Sequence, residues 1–115
     1  MNNSSDCSPE LTLMGIETRV IKEFLDVIIL YELAERKQLT GYEIAVLGRE
    51  KFGIALSPGT VYMTMYAMER RGLIEGKNDG KKTNFCLTAK GERALGGIGV
   101  AQGELSDFLR NLFTF

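Results

Sequence analysis

Lys77, Lys81 and Lys82 crowd around Asn78-Asp79-Gly80, and the chemistry they offer is phosphate binding. Three ammonium groups at one turn repel each other, so folding gains nothing from bringing them together, whereas phosphates relieve the repulsion. Such contacts position a protein on a nucleic-acid backbone and read no sequence. The same charges can also serve only to keep exposed strand edges soluble. A second group could read bases. On a helix starting at Pro58, Gly59, Met63, Tyr66, Ala67 and Arg70 share one face at about 100° per residue, with Thr60 and Tyr62 on the flanks. Small residues there permit close approach to a major groove, and apolar atoms can meet thymine methyl groups. The competing reading is that Met63 and Tyr66 touch another protein.

Other chemistries are poorly supplied. The chain has no histidine, and its two cysteines are Cys7, in a polar stretch, and Cys86, with no adjacent base. No carboxylate pair offers a general base, so an enzyme is not expected, and neither a metal nor another cofactor is implied. Gly96, Gly97, Gly99 and Gly103 do not form a phosphate loop, because no strand precedes them and no Lys-Ser/Thr pair follows.

The net charge of −1 argues against a nucleic-acid partner until its distribution is considered. Residues 1–48 hold four Lys/Arg against eight Asp/Glu, while residues 49–93 hold nine against five. Phosphates respond to the local field, so the basic middle of the chain counts for more than the sum. No apolar run reaches the ~18 residues of a membrane span, and no Lys or Arg precedes Ile16 as a signal peptide would require. A cytoplasmic protein with no membrane partner is expected.

The elements that must position these residues are legible in outline. Residues 1–15 are polar and unpatterned and are expected to be a flexible tail. A helix is predicted over residues 18–36, so rich in apolar positions that two of its sides must be buried. Thr40-Gly41-Tyr42-Glu43 is a capping box, opening a second helix that buries Ile44 and Leu47 and stops at Gly53. Ile54-Ala55-Leu56 could add a short strand. Ser57 is a good N-cap and Pro58 suits the first position of the third helix, over residues 58–71, with Val61, Met65 and Met68 facing inward. Two short strands follow, joined by a tight Asp79-Gly80 turn whose two residues take positive φ, with Phe85 and Leu87 inward and Cys86 outward. Thr88 caps a last helix. Its heptad-like seam of Leu95, Ile98, Leu105, Leu109 and Leu112, with Gln102 as the polar member, predicts a partner helix. The four glycines, each costing up to ~1 kcal/mol relative to alanine, either permit close approach or break this helix near Gly97.

A helix followed at once by a basic hairpin is a winged helix-turn-helix, and its motifs resemble those of the PadR-type winged-helix transcriptional regulators. The likeness rests on Phe24-Leu25-Asp26-Val27-Ile28-Ile29-Leu30, Leu39-Thr40-Gly41-Tyr42-Glu43-Ile44, Ser57-Pro58-Gly59-Thr60-Val61-Tyr62, Met68-Glu69 with Gly72-Leu73-Ile74, and Leu87-Thr88-Ala89-Lys90-Gly91. It covers residues 20–95. Met63 departs from the family, which commonly has proline or another residue there, and the short C-terminal segment resembles the small members with a single terminal helix. The resemblance implies a homodimeric, usually repressive, DNA-binding protein in which Tyr42, Ser57, Gly59, Thr60 and Tyr62 approach DNA and the hairpin lysines form the wing.

The expected protein is therefore mostly α: a winged helix-turn-helix over residues 16–93 with a two- or three-stranded wing, and a C-terminal dimerisation helix over residues 94–115. Its partners are double-stranded DNA and a second copy of itself, met through Phe24, Ile28 and the leucine seam; a small-molecule effector is left unidentified. DNA contacts fall to Tyr42, Ser57, Gly59, Thr60, Tyr62, Met63, Tyr66, Arg70, Lys77, Lys81 and Lys82. The alternative is a winged helix that binds proteins and no specific DNA.

Overall fold

The protein is described by a computed structural model over residues 8–114. A 3-10 turn at Pro9–Leu11 leads into α1 (Leu13–Glu23), α2 (Leu25–Arg36), α3 (Gly41–Phe52) and α4 (Pro58–Arg70). The hairpin β1 (Ile74–Asn78) and β2 (Thr83–Leu87) follows, and α5 (Ala89–Leu112) completes the chain. The strands pair antiparallel with Ile74 opposite Leu87 and Asn78 opposite Thr83. The core lies where α2, α3, α4 and the hairpin converge on Phe85, Leu25, Ile29, Leu33, Val61, Met65, Met68 and Ile74, all fully buried. Burying side chains of this size contributes roughly 1.5–3 kcal/mol each, which is what holds the hairpin against α4.

Local chemistry sets the helix ends. The capping box is complete: the Glu43 amide donates to Thr40 Oγ1 at 3.1 Å and the Thr40 amide donates to Glu43 Oε1 at 2.8 Å. Ser57 Oγ accepts from the Thr60 amide at 3.1 Å, and Thr88 Oγ1 from the Gly91 amide at 3.1 Å. Gly53, with φ of 66°, ends α3 in the left-handed conformation that glycine tolerates best.

Four expectations need correction, and one alternative left open is decided. The helix predicted over residues 18–36 begins at Leu13 and is divided at Phe24, whose φ of −102° and ψ of 25° leave the helical range. The two-sided burial belongs to α2 alone, which packs against α4 and β2 and also against α5, whereas α1 buries no residue fully. The stretch expected as a tail contains the 3-10 turn and the start of α1, where Thr12 Oγ1 accepts from the Gly15 amide at 3.0 Å; Met1 to Cys7 lie outside the described residues.

Ile54-Ala55-Leu56 is no strand. Ile54 and Leu56 are buried and Ala55 is exposed, so its alternation is satisfied by packing alone. The third rung of the sheet is Leu39, which exchanges two backbone hydrogen bonds with Phe85, at 3.1 and 2.9 Å. The hairpin loop spans the residues between Asn78 and Thr83, and only Gly80 has positive φ, at 93°. Asp79 serves there as a hydrogen-bond acceptor and not as a left-handed residue. Finally, α5 runs unbroken through its glycines to Leu112.

Among the described residues, no helix is long and apolar enough to cross a membrane, and no group of His, Cys, Asp or Glu could hold a metal ion.

Candidate nucleic-acid interface

The inward face of α4 is as its spacing predicts: Val61, Met65 and Met68 are at most 1% exposed. The opposite face is open. Met63 is 74% exposed, Arg70 is exposed, and nothing lies within 4 Å of a Cβ built on Gly59. Ser57 and Thr60 sit at the exposed start of the helix, their hydroxyls 2.8 Å apart.

Tyr66 is both surface and support. It is 43% exposed, yet its ring meets Phe85 edge-on at 5.8 Å and stacks with Tyr62 at 6.0 Å. Aromatic pairs in these geometries contribute about 0.5–1.5 kcal/mol beyond their buried area, so Tyr66 is not free of the core. Tyr62 is half-buried, lying on the backbone of Gly41, where an added Cβ would come within 2.6 Å of the ring. Tyr42, next along α3, is 65% exposed. These contacts link Tyr66 through Tyr62 to Gly41, the residue before Tyr42.

The wing carries the remaining candidates. Lys77, Lys81 and Lys82 are all exposed. Asp79 organises the tip: its Oδ1 accepts the amides of Lys81 and Lys82, both at 3.0 Å, while Asn78 Oδ1 accepts the Gly80 amide at 2.7 Å. The Lys82 and Lys81 amides, with a smaller contribution from the Lys82 charge, hold the Asp79 carboxyl below its ordinary range. A carboxylate therefore sits among the three lysines and offsets part of their field. The wing is tied to α4 by Glu69, whose Oε2 accepts the Gly76 amide at 2.8 Å.

Sequence reasoning missed Glu69 as a brace, and it missed Glu32. Glu32 is only 7% exposed between α2 and α3, with Oε2 taking a hydrogen bond from Lys51 at 2.7 Å and Oε1 lacking a hydrogen-bond partner among the described residues. The signal was a carboxylate in the apolar run Leu30-Tyr31-Glu32-Leu33.

The residues assigned to a partner copy divide into two sets. Leu95 and Ile98 pack against the protomer's own core, and Ile28 is half-buried between α2 and α3. Phe24, Leu105, Leu109 and Leu112 are 45–57% exposed, as is Phe108 at 59%. Leu13, Ile16, Val20 and Phe24 form an exposed stripe along α1, at i, i+3, i+7 and i+11, that the reading of one long helix concealed.

The transcriptional regulator PadR-like family matches the chain over residues 29–97. A PadR-like transcriptional regulator from Bacillus cereus superposes with a TM-score of 0.69 at 25% identity, over 84% of this chain and 98% of that one. A transcriptional regulator from Clostridium thermocellum gives 0.68 at 25%, over 85% and 97%. A PadR family transcription regulator from Clostridium difficile gives 0.62 at 28%, over 78% and 97%. No curated protein matches the chain.

Proposed function

The chain belongs to the transcriptional regulator PadR-like family, and from that premise we propose that it is a homodimeric repressor that inserts α4 into the major groove of operator DNA. Its matched family and structural neighbours are transcriptional regulators and not enzymes, which supports DNA binding as its work. One observation carries the finer reading: the exposed face of Gly59, Met63, Tyr66 and Arg70 lies beside a wing whose Lys77, Lys81 and Lys82 all reach solvent.

In this reading Met63 and Tyr66 meet base edges, while Tyr42, Ser57, Thr60 and Tyr62 steady the helix against sugar and phosphate. The wing lysines take the neighbouring backbone. The dimer forms where the exposed leucines of α5 and Phe24, at the bend between α1 and α2, meet a second copy, setting two α4 helices about one DNA turn, ~34–36 Å, apart. Residues 16–93 form the DNA-binding body and residues 94–115 serve dimerisation, with Leu95 and Ile98 also anchoring α5 to the protomer's own core, and the site of action is the cytoplasm.

The test is selection of full-length protein against a random duplex pool, followed by footprinting and light scattering. A pseudo-palindromic site protected by a dimer supports the reading. Failure to enrich any site would favour a protein-binding winged helix instead.

A further inference from the structure

Resting on the DNA-binding reading above, we propose that Lys22 is a second backbone contact, on the flank of α4 opposite the wing. A helix lying in a major groove is bordered by two phosphate strands, and the groove is only about 12 Å wide. The wing can meet one of them. Its side of α4 is identified by Tyr66, which packs edge-on against Phe85 of β2. On the other side, Thr60, Met63 and Thr64 form the wall of an open groove of about 320 Å³, and Lys22 at the end of α1 lines the same groove.

Met63 is the link between the two surfaces, since it is 74% exposed and also part of the groove wall. A duplex that touches Met63 therefore comes to the groove that Lys22 also lines. Lys22 is exposed and makes no ion pair with a carboxylate among the described residues. The other charges in the groove divide cleanly. Asp26 accepts the Val27 amide at 2.8 Å and faces Arg71, an exposed cation that lines the same groove, at 3.9 Å, so these two charges largely offset each other. Glu23 is an exposed carboxylate beside Lys22 and would oppose a phosphate. Lys22 and Glu23 therefore act with opposite sign on the same strand. The bend at Phe24 is what turns α1 so that Lys22 shares a groove with α4, which is why the sequence alone concealed it.

The experiment measures affinity across a salt series for full-length protein and a duplex recovered from the random pool, comparing Lys22→Ala, Lys22→Arg, Glu23→Gln and the triple alanine variant of the wing lysines. Lys22→Ala is expected to lower the magnitude of the log–log salt slope by about 0.9 per protomer, so that the advantage of the parent dimer shrinks about tenfold between about 50 and about 200 mM salt. Lys22→Arg should restore the slope, and Glu23→Gln should tighten binding most at low salt. A Lys22→Ala protein with parental affinity and slope, beside a wing variant that has lost both, overturns the proposal and leaves the DNA reading intact. Loss of affinity with no change of slope also overturns it, because that marks a structural role. If the parent protein binds no duplex, the DNA reading itself fails and this contact with it.

Discussion

The ring of Tyr62 rests on the backbone of Gly41, joining the first turn of α4 to the first turn of α3 with no room for a Cβ between them. The two sequence motifs that look independent along the chain, Thr40-Gly41-Tyr42-Glu43 and Ser57-Pro58-Gly59-Thr60-Val61-Tyr62, are thus two halves of one contact. Its consequence is geometric. The close approach of the two helices at this point depends on a glycine.

Gly41→Ala should therefore destabilise the fold by about 1–3 kcal/mol through overpacking against the ring. Chemical denaturation measures it, and Tyr62→Ala in the same chain should recover part of the loss, since contacting residues couple. Additive losses in the double variant would show that the ring moves aside freely.

Met63 and Tyr66 should separate in their effects, although they share a face. Met63→Ala is expected to leave stability within about 0.5 kcal/mol of the parent, as for exposed positions generally. It should change preference among operator variants by roughly 1–3 kcal/mol per affected base pair. Tyr66→Ala should change preference and also lower the melting temperature, because it removes the edge-on contact with Phe85. Equal stability for the two variants would mean the Tyr66 ring contributes nothing to the core.

How far the sequence could be read follows from the range of the forces involved. The capping box at Thr40, the N-caps at Ser57 and Thr88 and the inward face of α4 were legible because each depends on residues within one or two turns. The Leu39–Phe85 bridge was not, since a ladder partner is chosen by the packing of distant segments, and Leu39 occupies the edge that Ile54-Ala55-Leu56 was expected to extend. The bend at Phe24 was hidden for a related reason: the apolar pattern is continuous across it, from Val20 and Ile21 into Leu25, so α1 and α2 read as one helix. Of the site, the identities of the wing lysines were plain, while the role of Asp79 among them emerged only once its carboxylate was seen to accept two amides.

Asp79 yields a pH prediction and a charge prediction. Its pKa is lowered in the folded state, so its contribution to the turn is present above the unfolded value and is lost as pH falls through the folded one. Amide exchange or NMR of the Lys81 and Lys82 backbone should show the tip loosening only below the ordinary carboxylate range. At neutral pH, Asp79→Asn keeps an acceptor oxygen but removes the charge. DNA affinity should rise at low salt, with the gain fading as salt screens it. A variant that binds DNA no better at low salt would separate the wing tip from the phosphates.

The wing lysines themselves should act without regard to sequence. Replacing Lys77, Lys81 and Lys82 by alanine is expected to weaken binding to operator and unrelated duplex alike, lowering the salt slope by about 0.9 for each phosphate that is no longer neutralised. An unchanged slope in the triple variant would remove the wing from the interface.

The dimer prediction requires a gentler variant than truncation. Cutting after Arg93 would remove Leu95 and Ile98, which pack on the protomer's own core, and would confuse folding with assembly. Replacing Leu105, Leu109 and Leu112 with glutamine leaves that packing in place and strips only the exposed part of the seam. Light scattering should then report a monomer whose melting transition no longer depends on protein concentration, as linkage requires of a dissociated dimer. Binding to a pseudo-palindromic site should fall towards that of a single half-site, since nothing would hold two α4 helices a DNA turn apart. A triple variant that stays dimeric and binds normally would move the interface to the stripe of Leu13, Ile16, Val20 and Phe24 along α1.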